Sequence, residues 1–178
     1  MAPEHHPPPE QEKARYETHN NDVNDPGYRE FVKPLVDEIL DNFNKDKSGL
    51  DFGAGTGPVA SKMLGEEGYR VELYDPFFIN DATKLKTKYD FIICCEVMEH
   101  FHDPAAEFRF LRSLLTPGGS LVCMTQLFTE AVDFSRWRYK DDDTHVFFYH
   151  PRSIECIRSE YLFTEADISG RVIHFRTR

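Results

Sequence analysis

Apolar residues recur over 28–43 at alternating three- and four-residue spacing: Tyr28, Phe31, Val32, Leu35, Val36, Ile39, Leu40 and Phe43. That period predicts an amphipathic helix with one face on a core. Asp25 and Pro26 supply its cap and first position, and Pro34 inside it predicts a kink or a split. The pattern then shortens. Leu50, Asp51 and Phe52 read as a thin strand, and Val59, Ala60, Met63 and Leu64 as one face of a second helix. Residues 71–75 (VELYD) read as another strand. Residues 91–97 (FIICCEV) are an almost unbroken apolar run, as a central parallel strand buried on both faces requires. Asp103-Pro104 opens a helix that turns Phe108, Leu111, Leu114 and Leu115 inward. Pro117-Gly118-Gly119 marks a turn, 120–127 a strand, and 151–160 a helix. Strands over 163–168 and 172–177 close the chain around Ser169-Gly170. Strands alternating with helices predict an α/β fold.

Between the first strand and its helix stand three glycines at every second position, Gly53, Gly55 and Gly57. Glycine lets the backbone turn tightly and a ligand approach closely, and the helix start offers unpaired N–H groups. Asp75 ends the next strand, 18 residues after Gly57. An acid there suits the ribose of a nucleotide-type ligand, because a carboxylate accepts from both hydroxyls of a diol.

The run LDFGAGTG over residues 50–57 resembles motif I of class I S-adenosylmethionine-dependent methyltransferases, with Asp51 on the motif's acid. Residues 89–126, including EVMEH and the PGG turn, resemble the central part of that family, especially its small-molecule, type 11/12-like branch. The resemblance covers roughly residues 28–176 and rests on the ordered set more than on the glycines. It implies a doubly wound Rossmann-like, mostly parallel sheet of about six strands, with helices on both faces and an antiparallel C-terminal hairpin. Only 13 residues, 76–88, follow Asp75 before the next strand. A crossover alone needs about 10–12, so the third of the family's usual seven strands is expected to be missing. The implied cofactor is S-adenosyl-L-methionine and the implied partner a small-molecule methyl acceptor. Asp51, Gly53, Ala54, Gly55, Gly57, Asp75, Pro76, Phe77 and Glu96 are its expected cofactor residues. Of Phe77 and Phe78, one is expected in the core and the other against the adenine. A nicotinamide dehydrogenase fits less well, since Pro58 stands where its third glycine would be. A protein or RNA acceptor, or a non-catalytic cofactor-binding protein, are the rival readings.

Composition narrows the partners. The formal net charge is −10, which argues against gripping a nucleic-acid backbone. Four cysteines form no CxxC pair, which argues against a zinc ribbon. No apolar run reaches membrane-spanning length, and the start is Pro- and His-rich, so a cytoplasmic location is expected. Residues 1–12 are expected to be a disordered tail, with one domain over 13–178. His5 and His6 read as tail histidines.

The chemistry of methyl transfer asks first for alignment. A base helps when the acceptor is protonated, and histidine titrates near neutrality. Candidates are His145, His19, Glu96 and His100, with the first two favoured because they sit in polar segments able to cover the site. Tyr16 and His19 are either active-site residues or part of a solvated linker. Residues 129–145 interleave Trp137 and Tyr139 with charge and read as a lid, its three aspartates being alternatively a solvated run. Tyr16, Gln126, Trp137 and Tyr139 are the candidate acceptor contacts. His100, His102 and Asp103 cluster without a ligand spacing that calls for a metal.

Overall fold

The computed structural model describes residues 1–18 and 22–178. Strands β1 (Ser48–Phe52), β2 (Arg70–Tyr74), β3 (Tyr89–Cys95), β4 (Leu115–Met124), β5 (Glu165–Ser169) and β6 (Val172–Arg176) form one sheet in the order β2-β1-β3-β4-β6-β5. The first four are parallel neighbours, and β6 runs antiparallel to both β4 and β5. The 76–88 connection holds a short 3₁₀ turn, Lys84–Lys86, and adds no strand.

Side chains alternate across a strand, and β3 shows what that does here. Ile92 and Cys94 face a core shared with helices α4 (Pro104–Ser113) and α5 (Pro151–Glu160). Phe91 and Ile93 face the opposite core, built with α2 (Pro26–Asn42) and α3 (Val59–Glu66). Burial on both faces is why this strand carries no polar alternation.

The Asp25 carboxylate caps α2 by accepting from the N–H groups of Gly27 (2.7 Å) and Tyr28 (3.0 Å). Pro34 does not split the helix. Glu30 and Pro34 are both exposed, so the carbonyl deprived of its N–H partner is open to water. The PGG turn lies inside β4 as a register shift: Tyr89 pairs with Leu115 and Phe91 with Ser120. Gly118, at φ 73°, supplies the left-handed backbone this bulge needs. The strand ends at Met124, ahead of Gln126.

The largest departure is at the start. Where a disordered tail is expected over 1–12, the structure places a turn at Pro3–His5 and helix α1 (Pro9–Glu17). Glu12 is buried and meets His102 Nε2 at 3.1 Å. Gln11 donates to Asp143 (3.0 Å), and Arg15 to Asp142 (2.8 and 3.1 Å). These partners lie far along the chain, so the local composition carries no trace of them. Among the described residues, no helix is long and apolar enough to cross a membrane.

Candidate active site

The glycine turn is tied to the end of β2, for the N–H groups of Gly53 and Ala54 both donate to the Tyr74 carbonyl (2.9 and 3.1 Å). Gly53 has φ 83°, and a Cβ there would lie 2.5 Å from Val97 Cγ2. Gly55 has φ 62°. A side chain at either position would be strained, and at Gly53 it would also push into the residue beyond Glu96. Beneath the turn, Asp51 is buried and accepts from Ser61 Oγ at 2.6 Å. Burial pushes its carboxyl up to about 6; the Ser61 bond opposes the shift and the Asp75 charge adds to it.

Asp75 holds the neighbouring loop. Its Oδ2 accepts from Gly55 N–H (2.9 Å) and its Oδ1 from Phe77 and Phe78 N–H (2.8 and 3.1 Å). A carboxylate offers about four acceptor sites, so the three N–H bonds leave Asp75 with acceptor capacity to spare. Both phenylalanines line the same cavity, so neither is confined to the core. That cavity is about 510 Å³, within the roughly 300–1,000 Å³ of small-molecule sites.

Asp51, Gly53, Ala54, Gly55, Gly57, Asp75, Pro76, Phe77 and Glu96 all reach this cavity, together with Tyr16 and His100. Tyr28 and Val32 of α2 and Glu12 of α1 also line it. The sequence reading missed all three: a core-facing helical pattern does not say that Tyr28 and Val32 abut a hollow, and Glu12 fell in the expected disordered tail. His19 lies outside the described residues.

At the end of β3, Glu96 takes the left-handed conformation (φ 54°). Arg171 Nη2 reaches both its oxygens, at 2.9 and 2.8 Å, from just past the Ser169-Gly170 turn. Tyr139 Oη lies 3.2 Å from Glu96 Oε2, 3.0 Å from Thr125 Oγ1, and also donates to Glu99 Oε1. Burial raises both glutamates; the charge of Glu99 raises Glu96 further while Arg171 opposes it. No local pattern marks Arg171 as the partner of Glu96, since it sits 75 residues away.

The proposed lid is more interior than its composition suggests. Trp137 is 7% exposed and packs on Phe148 (5.0 Å between ring centroids), Tyr139 (5.4 Å) and Phe128 (5.7 Å). It does not line the cavity, and neither do Gln126, Tyr139 and His145. Trp137, Tyr139 and Gln126 thus stand off the cavity wall: the two aromatics pillar the segment that covers the glutamates. Tyr16 does face it, 5.8 Å from the Phe77 ring and 5.2 Å from that of His100. Asp142 and Asp143 of the acidic run bind α1, so the run is not merely solvated.

The four base candidates therefore separate. Glu96 and His100 form the wall, whereas His145 stands behind His100 with ring centroids 4.8 Å apart. Burial of Trp137 draws the segment that carries His145 inward.

A family described as a methyltransferase domain matches residues 26–161. Glycine cradle, strand-end acid and sheet order agree with that match, and the chain belongs to this family, one of the class I S-adenosylmethionine-dependent methyltransferases. It is 29% identical over 118 residues to a ubiquinone biosynthesis O-methyltransferase of Cereibacter sphaeroides, covering 62% of this chain and 47% of that one. The Escherichia coli protein of the same name is 33% identical over 78 residues, covering 44% and 32%. The chain thus spans a third to a half of these curated relatives. In fold it is similar to a magnesium protoporphyrin IX methyltransferase of Synechocystis solved with bound S-adenosylhomocysteine (TM-score 0.66, 17% identity, covering 95% and 94%). A methyltransferase of Archaeoglobus fulgidus gives a TM-score of 0.64 at 19% identity, covering 84% and 94%.

Proposed function

We propose that this chain transfers a methyl group from S-adenosylmethionine to an oxygen of a small-molecule acceptor. The observation that carries the reading is the joint placement of the Gly53–Gly55 turn and Asp75 around one cavity whose far wall is Glu96 and His100. The oxygen acceptor is suggested by the curated relatives, both O-methyltransferases by name. When bound, S-adenosylmethionine supplies a methyl on a cationic sulfonium.

The residues of the chain then have separable tasks. Gly53 and Gly55 admit the cofactor close to the backbone, Asp75 takes its ribose, and Phe77 and Phe78 wall the adenine. Asp51, ionised, favours the cationic end. Tyr16 and His100 narrow the opposite end and exclude water from the acceptor, so that orientation and desolvation do most of the work. His100 Nδ1 faces the Thr144 carbonyl at 2.9 Å. A carbonyl only accepts, so Nδ1 carries the proton and the lone pair lies on Nε2. Proton handling during transfer belongs to this end of the cavity.

Calorimetric titration with S-adenosylmethionine, S-adenosylhomocysteine and NADH tests the reading. The first two are expected to bind in the micromolar range and NADH not at all. Asp75→Ala is expected to weaken both at least tenfold, the loss of roughly 1.4 kcal/mol or more from charge-assisted hydrogen bonds. Binding of NADH alone would sink the proposal. Labelled-methyl transfer to a panel of phenols and alcohols then identifies the acceptor.

A further inference from the structure

From Asp75 the cavity extends along the sheet face that α4 and α5 cover, where Phe52, Tyr74, Leu85 and Phe110 line it. The short connection leaves this hollow open, because residues 76–88 contribute one 3₁₀ turn and no helix to pack on those side chains. Phe52 and Tyr74 stack with ring centroids 5.4 Å apart, and Phe110 lies 6.4 Å from Phe52. Such an aromatic surface suits a flat ring.

Five acids line the cavity: Glu12, Asp51, Asp75, Glu96 and Glu107. Glu12 meets His102, Asp51 accepts from Ser61, Asp75 from backbone N–H groups and Glu96 from Arg171. Glu107, in the first turn of α4, has neither a hydrogen bond nor an ion pair at its carboxyl among the described residues. It is not needed as a cap, since Asp103 accepts from Ala106 N–H at 3.0 Å. Glu107 is partly buried; that burial raises its carboxyl, and the charge of Asp103 adds to the shift. The Tyr74 hydroxyl is also unpaired among the described residues, its proton held by burial first and then by the charges of Asp75 and Glu107. Unpaired polar groups drawn away from water are costly, and a ligand with matching donors and acceptors removes that cost.

We propose that Glu107 reads the amino group of the cofactor's adenine, which lies in this hollow against Phe52, Tyr74 and Phe110, with Phe77 and Phe78 completing the wall. The assignment rests on the methyltransferase reading and sharpens it. Tyr74 directly precedes Asp75, so a ribose held at Asp75 delivers its base to this surface. Adenine presents an amino donor beside a ring-nitrogen acceptor. The Glu107 carboxyl takes the donor, and the Tyr74 hydroxyl gives its proton to a ring nitrogen. Hypoxanthine has a carbonyl oxygen in place of the amino group, which sets acceptor against acceptor at Glu107. Glu107 thereby makes an otherwise merely aromatic surface selective for one base.

The test compares S-adenosylhomocysteine with S-inosylhomocysteine, its analogue with oxygen in place of the amino nitrogen, by calorimetry. The unaltered chain is expected to bind the adenosyl ligand about 10–100-fold more tightly. Glu107→Gln, whose amide both donates and accepts, is expected to cut that preference to about threefold or less. The loss falls on the adenosyl ligand, by about tenfold. Thermal melting reports whether the variant is folded, and Glu107→Ala replaces it if it is not. Equal affinity of the unaltered chain for the two ligands overturns the assignment, whether or not any variant folds, and leaves the methyltransferase reading standing. A preference that survives in the folded Glu107→Gln chain overturns it equally. Binding of neither ligand to the unaltered chain overturns the methyltransferase reading, and this assignment with it.

Discussion

The two halves of the site are built on different principles. The cradle, from β1 through the glycine turn to Asp75, spans fewer than thirty residues and is held by hydrogen bonds within them, such as Gly53 and Ala54 to Tyr74. The cover is assembled from α1 and residues 129–149. Its contacts bridge distant parts of the chain: Arg15 to Asp142 are 127 residues apart and Glu12 to His102 are 90. Local geometry leaves the cradle little freedom, because a change of one side chain meets backbone or a packed neighbour. The cover depends on polar and aromatic contacts, many partly exposed, so it is the half suited to opening.

The sharpest way to break the contrast is Gly53→Ala. The added Cβ combines left-handed backbone strain with a 2.5 Å approach to Val97. Destabilisation of about 2–4 kcal/mol is expected from strain and overpacking together. Chemical denaturation measures it, and a loss below about 1 kcal/mol would mean that the turn is pliable.

A subtler change leaves the backbone alone. The Asp51 carboxyl is raised to about 6, mainly by burial. A carboxyl raised in the folded state favours the protonated fold, so stability contributed by Asp51 is lost as pH rises from its ordinary range through about 6. Affinity for a cationic ligand moves the other way, since only ionised Asp51 attracts it. Calorimetry of S-adenosylmethionine is expected to show up to about tenfold tighter binding at pH 7 than at pH 5. A slope of the same size in Asp51→Asn would assign the pH dependence elsewhere.

The smallest effect is expected in the cover. Burial pushes the Asp142 carboxyl up, but the bonds from Arg15 and Thr144 outweigh it and leave the group well below its usual value. Its contribution is therefore present at neutral pH and lost progressively as pH falls from the ordinary carboxylate range through the lowered value of the folded state. Arg15 is nearly half exposed, so Arg15→Ala should cost only about 0.5–1 kcal/mol. Hydrogen exchange is expected to quicken in α1 while the cradle is unchanged. Equal acceleration in both would show them to be one cooperative unit.

The same division separates the features that short windows of sequence carry from those they do not. Asp25, Asp103 and the glycine triplet act on residues two or three positions away, so their roles are visible in short windows. The alternating burial of Phe91, Ile92, Ile93 and Cys94 follows from one apolar run. Trp137 reads as a lid residue because its neighbours in sequence are charged; its neighbours in space are Phe128, Tyr139 and Phe148. Glu99 and His100 stand in view in EVMEH, but nothing nearby announces that His145 joins them.

Sequence by itself determined the strand order's raw material, the cradle and its acid, and the short link that leaves the sheet with six strands, because each depends on periodicity, turn chemistry or chain length. Tertiary structure alone decided which histidine faces the cavity, that Arg171 reaches both oxygens of Glu96, and that residues 3–17 fold against the covering segment. Those outcomes depend on side chains 40 to 130 positions apart. Only collapse of the whole chain brings such groups within the few ångströms over which hydrogen bonds form and burial excludes water.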